Sequence, residues 1–250
     1  MSVLAADLAG ALDAASLARR LSIVPDPWQE TALRSTASRA LWLCCRQSGK
    51  STTAAVLGLW TALYRPGSCT LIVSPGQRQS QLVFAKVAAL YRQLGRPVAS
   101  EAENQLSLRL ENGAQVVSLP GDGETVRGYT ADLLIADEAA QIRDPAMDAL
   151  LPTLAVSGGR LVAMSTPAGR RGWFFDAWEH GGPGWERVKL TAEGHPRIPA
   201  SAVDDYRSTR GDFMTRQEYL CEFIDDAEAV FGEALVAAMF SDAVAPLFGD

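Results

Sequence analysis

The stretch LWLCCRQSGKSTTAAVLGLW, Leu41 to Trp60, runs from an apolar strand-like segment through a short polar turn into a long helical pattern rich in small residues. A strand that stops at a Gly-containing turn and leads into a helix gathers free backbone N–H groups at the positive end of the helix dipole, and polyphosphate binds there. In that setting Lys50 reaches the terminal phosphates as a point charge, and the Ser51 hydroxyl completes the shell of a magnesium ion. The first glycine usual in such a loop is absent, because Cys44 stands in its place. A helix start that merely contains Gly49-Lys50-Ser51 is the plainer reading that this short pattern leaves open.

Outward from this segment, short apolar runs alternate with helical patterns, which predicts an α/β protein with a mainly parallel sheet sandwiched by helices. The strand candidates are Leu41–Cys45, Cys69–Val73, Asp132–Ala136 and Leu161–Met164. QLSLRLENGAQVVSL breaks the rhythm: alternation, then Asn112-Gly113, then apolar residues again, which reads as a β-hairpin insertion. Helices are expected at Lys50–Tyr64, Arg78–Leu94, Pro145–Leu154, Gly172–Glu179, Ala200–Arg210 and Phe213–Phe223. After about Pro167 Gly, Pro and Trp become frequent, which places a core over residues 1–170 and a smaller lid or linker over 171–250.

A second chemical element lies in ADLLIADEAAQIRD, a buried-type strand ending in Asp137-Glu138. The carboxyl end of a parallel strand is where an α/β protein presents ligand-binding groups. Asp137 suits a magnesium ion held through water, and Glu138 suits orienting and activating an attacking water. A kinase must instead exclude water, so the paired carboxylates favour hydrolysis. An Asp-Glu helix cap is the plainer alternative. RLVAMSTPAGR supplies another strand ending in a polar turn, where the hydroxyls of Ser165 and Thr166 can sense a γ-phosphate; Ser-Thr-Pro is also an ordinary loop opener.

Bulk properties narrow the classes. A chain of 250 residues, 48% hydrophobic, buries a full core. The net charge of −6 gives no global field that attracts nucleic acid, leaving only local patches for a phosphate backbone. Cys44, Cys45, Cys69 and Cys221 lack metal-ligand spacing, and with His180 and His195 alone beside them a zinc site is not expected. The N-terminus carries Asp7 and Asp13 and no basic stretch before its apolar residues, unlike a signal peptide. No uncharged apolar run approaches the ~20 residues that span a bilayer.

Taken together, CCRQSGKST as a divergent Walker A, LLIADEAA as Walker B with its glutamate, MSTPAG as a coupling motif and RQEYLCEFIDDAEAVF as the closing helix and exit segment resemble the ATPase domain of the large terminase subunit of tailed bacteriophages. The likeness spans nearly the whole chain and rests on order and spacing. It implies a P-loop NTPase fold of the RecA/ASCE-like kind, with ATP and Mg2+ as cofactors and a cradle of Arg46, Gln47, Ser48, Gly49, Lys50, Ser51 and Thr52. It also accounts for Cys44, since this family commonly lacks the first glycine and carries arginine where Arg46 stands, as a phosphate-side sensor. Gln29 in PDPWQETAL matches the upstream glutamine that reads adenine, or is a solvated residue on an early helix. Arg127 in ETVRGYTADLLIADE matches the arginine finger inserted by a neighbouring subunit, or pairs with Glu124 or Asp132.

The resemblance further implies translocation of double-stranded DNA into a procapsid, a homo-oligomeric ring, portal and small-subunit partners, no membrane, and the cytoplasm of an infected bacterial host. A helicase-like DNA-dependent ATPase and a P-loop small-molecule kinase are the alternatives; the first normally carries two such domains. Large terminases usually continue into a ribonuclease-H-like nuclease, for which Asp225, Asp226, Asp242 and Asp250 are too few and too close to the end, so no DNA cleavage is expected of this chain. Candidate DNA contacts are Arg78 and Lys86, and Arg170 and Arg171, each equally a solvated face or loop.

Overall fold

The apolar run that opens the decisive segment forms β1 (Arg39–Cys44), and it is apolar throughout because it is buried on both faces. Ala40, Trp42 and Cys44 enter one core, while Leu41, Leu43 and Cys45 enter the other. The computed structural model describes residues 3–121, 125–126, 128–193 and 195–224. These build an eight-stranded sheet from β1, β2 (Cys69–Ser74), β3 (Ser100–Glu103), β4 (Ser107–Leu110), β5 (Gln115–Pro120), β6 (Leu133–Asp137), β7 (Arg160–Ser165) and β8 (Glu186–Leu190). The spatial order is β3-β4-β5-β2-β6-β7-β1-β8. The six strands from β5 to β8 in that order run parallel, and β4 and β3 add antiparallel at one edge.

Helices cover both faces. Two short helices, α1 (Val3–Leu12) and α2 (Ala14–Arg20), lead into α3 (Pro27–Arg34), α4 (Lys50–Tyr64) and α5 (Gln77–Gln93). Of these, α2 to α5 close the core around Trp42. The other face takes α6 (Asp144–Leu150), α7 (Gly172–His180) and α8 (Ala200–Glu218), with Met147, Leu150 and Phe174 fully packed. α4 lies close to the sheet because Ala54, Ala55 and Gly58 keep its inner face low; a Cβ on Gly58 would stand 3.5 Å from the Ile135 side chain.

The predicted strands are all present, with β6 shifted by one residue so that Asp137 is its last member. The predicted hairpin is β4 and β5 turning at Asn112-Gly113, where Gly113 takes φ 81°, and β3 extends it to a three-stranded edge. β8 was not anticipated: ERVKL follows a Gly- and Trp-rich loop and alternates too weakly to read as a strand, yet it pairs in parallel with β1. Two further corrections concern helices. The expected helix Pro145–Leu154 gives way at Leu151 to a 3₁₀ turn, Leu151–Leu154, around Pro152. The expected break between Ala200–Arg210 and Phe213–Phe223 is present as the non-helical Gly211 (φ 84°, ψ 167°) inside the span α8, and the second helix ends at Glu218, not at Phe223.

The loop before β7 is a tight place. A Cβ on Gly159 would sit 2.2 Å from the Ala131 carbonyl oxygen and 2.7 Å from the Leu154 side chain. Gly159→Ala is therefore expected to destabilise the fold by about 1–3 kcal/mol, read as a lower urea midpoint at unchanged slope.

Candidate functional site

β1 ends at Cys44, and the next residues are tied down before the helix begins. The Cys45 N–H donates to the Leu190 carbonyl (2.9 Å) and the Arg46 N–H to the Glu218 carbonyl (3.0 Å). Gln47 (φ 58°) and Gly49 (φ 88°) are left-handed on either side of Ser48. Such alternation turns successive N–H groups toward one concave side, and the first turn of α4 adds its own free donors and its dipole. Gly49 is required here twice over: its φ is positive, and a Cβ would lie 2.7 Å from the Gln29 amide nitrogen.

Gln29 is buried, which excludes the solvated reading. Its Oε1 accepts from the Asp26 N–H (2.9 Å), closing a capping box on α3, and its Nε2 donates to Thr53 Oγ1 (2.9 Å) on α4. Both ends of the amide are thus engaged in bracing the loop against the early helix.

The carboxylates stand opposite. Lys50 is 8% exposed, and its ammonium lies 2.9 Å from Glu138 Oε1. Burial alone would lower the lysine, but Glu138, and after it Asp137, outweigh burial and hold it above its usual value. Glu138 sits in the left-handed region (φ 51°), a strained conformation for a side chain of this kind. Asp137, 7% exposed, has a buried Oδ1 with no hydrogen-bond partner. Burial, then the charge of Glu138, push its carboxyl up to about 6, against opposing pulls from Lys50, the Glu138 N–H and Lys86.

Strand ends complete the floor. Met164 of β7 pairs beside Asp137, and Leu43 of β1 pairs beside Ser165. Ser165 and Thr166 are both buried, and the hydroxyls of Ser48, Ser74 and Ser165 lack partners among the described residues. Three of these orphans and Asp137 Oδ1 cluster at or next to carboxyl ends of parallel strands or in the loop that follows one, which is where a ligand would satisfy them.

The donor set fits a hard divalent cation: an orphaned, buried carboxylate oxygen on Asp137 and a hydroxyl on Ser51 are oxygen ligands of the kind magnesium takes, with substrate phosphates supplying others. Among the described residues no group of three or more His, Cys, Asp or Glu side chains could hold a metal by itself.

Other predicted residues fall as follows. Arg46 is exposed, and its Nε stands 3.7 Å from Glu218 Oε2 at the end of α8. Burial, and further on Glu138, raise the Glu218 carboxyl while Arg46 and Lys50 oppose the shift, so a third carboxylate lies within electrostatic reach of the Lys50–Glu138 pair. Lys86, read from sequence as a DNA candidate, instead reaches Thr52 Oγ1 (3.4 Å) at the edge of this site. Arg78 lines a groove of about 630 Å³ between α5 and the β3–β4 edge, Arg170 lies over the Phe175 ring, and Arg171 precedes α7. Arg127 and Glu124 lie outside the described residues, as do Asp225, Asp226, Asp242 and Asp250. Sequence reading missed Glu218 and His195. The first was hidden inside a quoted exit motif; the second is one of only two histidines, in a loop without periodicity.

Comparison with known proteins bears directly on this arrangement. The family model for "Terminase large subunit, T4likevirus-type, N-terminal" matches residues 41–236. The chain belongs to the terminase large subunit family. A terminase large subunit of Thermus virus P23-45 is 30% identical over 235 residues, 79% of this chain and 48% of that protein, and one of Thermus phage G20c is 30% identical over 236 residues with the same coverage. The chain thus spans about half the length of the curated terminases it matches. Among solved structures, the large terminase ATPase domain of Thermus phage P74-26 superimposes with TM-score 0.73 at 28% identity, covering 83% of this chain and 97% of that one. The large terminase of phage HK97 (TM-score 0.66, 17% identity, 79% of this chain and 50% of that one) shares the fold. The sheet and flanking helices are accordingly those of a terminase P-loop ATPase domain.

Proposed function

We propose that this domain binds ATP between the Cys44–Thr52 loop and the Asp137–Glu138 strand tip and hydrolyses it, as the motor part of a terminase that drives double-stranded DNA into a procapsid. The observation that carries the proposal is the 2.9 Å pair between Lys50 and Glu138, which sets the phosphate-binding cation and the candidate base face to face in a member of this family. The relative from Thermus phage P74-26 is an ATPase domain, which supports the same reaction here.

The steps follow from the charges. An arriving polyphosphate competes with Glu138 for Lys50, because the phosphate brings more negative charge to the same ammonium. Lys50 turns to the phosphate, and Glu138 is released with a free carboxylate beside the γ-phosphate. There it orients a water and accepts its proton during in-line attack, so that the P–O bond to the β-phosphate breaks and ADP and phosphate form. Ser51 and Asp137 would hold a magnesium ion, which would supply charge neutralisation for the bound polyphosphate. The unpartnered Ser165 hydroxyl, with Thr166 beside it, is placed to sense loss of the γ-phosphate and pass it along β7. Arg46, loosely held by Glu218 and exposed, is the further cation that can turn toward the phosphates.

Kinase chemistry is disfavoured because a released glutamate at the γ-phosphate would activate water. We assign the remaining partners by family: a homo-oligomeric ring, the portal protein and the small terminase subunit, in the cytoplasm of an infected bacterial host. Among the described residues no helix is long and apolar enough to cross a membrane.

Arg127 is assigned as the finger that one subunit offers to its neighbour, and an arginine finger is worth about 10³–10⁵ in rate. Steady-state ATP hydrolysis measured against protein concentration tests both assignments. Specific activity of the parent should curve upward as subunits associate, while Arg127→Ala stays low and flat. A parent that hydrolyses no ATP at any concentration rejects the function, and an Arg127→Ala protein that matches the parent rejects the finger.

A further inference from the structure

We propose that His195, in the loop between β8 and α8, is a positioning residue of the phosphate-binding loop. It holds the Ser48 carbonyl so that the neighbouring N–H groups stay aimed at the nucleotide. The inference rests on the ATP-binding reading above and concerns how that site is kept in shape.

A loop whose N–H groups all face a phosphate must turn its carbonyls the other way. The left-handed residues Gln47 and Gly49 impose this on Ser48, which is fully buried, and a buried carbonyl needs a donor. His195 provides it: its Nε2 lies 3.3 Å from the Ser48 carbonyl oxygen. The tautomer is set by the chain itself. The Arg197 N–H donates to His195 Nδ1 (3.1 Å), so Nδ1 presents its lone pair and the ring hydrogen is on Nε2, pointing at Ser48. The imidazole is completely shielded, and Asp26 Oδ2 lies 3.8 Å from Nε2.

Asp26 ties this loop to the opposite wall. It caps α3, whose Gln29 braces Thr53, and it takes the Arg197 guanidinium at 2.6 Å. Arg197 Nη2 in turn stands 3.4 Å from the position a Cβ would occupy on Gly49. The Ser48–Gly49 segment is thus wedged between Gln29 on one side and the His195–Arg197 turn on the other. Two further bonds run from the loop to this part of the chain, Cys45 N–H to Leu190 and Arg46 N–H to Glu218, but both acceptors are backbone carbonyls. His195 is the side chain among these three links, so it is the one a substitution can remove.

A histidine that only filled space would, when replaced, lower stability and leave nucleotide affinity of the folded protein alone. A positioning histidine shifts affinity and is rescued by another donor of similar reach. The test is titration of the full chain with a fluorescent ATP analogue and Mg2+, comparing the parent, His195→Leu, His195→Gln and Lys50→Ala, with a thermal melt of each to verify folding. Lys50→Ala gives the level at which the loop no longer grips phosphate. His195→Leu is expected to bind roughly 10-fold more weakly, the cost of one buried carbonyl losing its donor at the site. His195→Gln, whose amide nitrogen reaches about as far as Nε2, is expected to return to within about 3-fold of the parent. If His195→Leu does not fold, His195→Asn takes its place, since its amide is too short to reach Ser48. Parental affinity in the folded Leu or Asn variant overturns the proposal, as does a Gln variant as weak as Leu. A parent that fails to bind the analogue overturns the ATP reading itself, and this inference with it.

Discussion

Glu138→Gln is expected to lower steady-state ATP turnover by about 10²–10⁴-fold while leaving nucleotide binding intact or tighter. The two effects have separate causes. Turnover falls because an amide cannot accept the proton of the attacking water, whereas the other contacts to the nucleotide remain. Binding does not fall because Glu138 is the resident partner of Lys50 at 2.9 Å, and a phosphate has to displace it. Replacing the carboxylate by a neutral amide removes that competition. The left-handed φ of Glu138 lies at the same strand tip, directly after Asp137. Single-turnover hydrolysis together with equilibrium binding separates the two effects. Turnover within a few-fold of the parent would strip Glu138 of the base role, and a large loss of affinity would mean that the pair with Lys50 supports the loop instead of masking the base.

The elements that reveal this site in the sequence are those governed by local rules. LWLCC followed by GKST is a strand, a turn and a helix start in succession, and LLIA, just before Asp137, is an uninterrupted apolar run because β6 has helices on both sides. What stayed hidden depends on contacts between distant parts of the chain. Nothing in GHPRIP says that a histidine there will meet Ser48, 147 residues earlier, because only the pairing of β8 with β1 brings that loop under the phosphate cradle. Glu218 is equally unreadable as a neighbour of Glu138, since it depends on where the kinked α8 ends. Lys86 shows the same limit. A basic residue on a helix looks like a backbone contact for DNA, and its position over Thr52 follows from the packing of α5 on α4. Helix ends were misread at Pro152, which sits inside an otherwise helical pattern, and at Phe223, past the observed end at Glu218, whereas the break at Gly211 was placed correctly.

Asp137→Asn is expected to make the domain more stable at pH 8 and to cut magnesium-dependent turnover by on the order of 10³-fold, the scale of losing a metal ligand's charge stabilisation. The carboxyl of Asp137 titrates at about 6 in the fold, above the usual 3.8, chiefly because burial opposes its charge and Glu138 stands beside it. The folded state therefore holds this proton more tightly than the unfolded chain does. The stability it confers is fully present below about pH 4 and is lost as pH rises through about 6, amounting to about 3 kcal/mol by pH 8. An asparagine does not ionise, so the variant escapes the loss. Melting curves of parent and variant should lie apart at pH 8, with the variant higher, and draw together only below about pH 4. If Asp137 is a magnesium ligand, adding magnesium at pH 8 is expected to raise the melting temperature of the parent and leave the variant nearly unmoved. A variant that melts lower than the parent at pH 8 without magnesium would mean that Lys50 and Lys86 already compensate the charge. In that case the orphaned Oδ1 could not be read as an oxygen waiting for a cation. The same burial that makes Asp137 costly to the fold would make it a strong ligand, because a carboxylate stripped of water has more to gain from a divalent ion than one that is solvated.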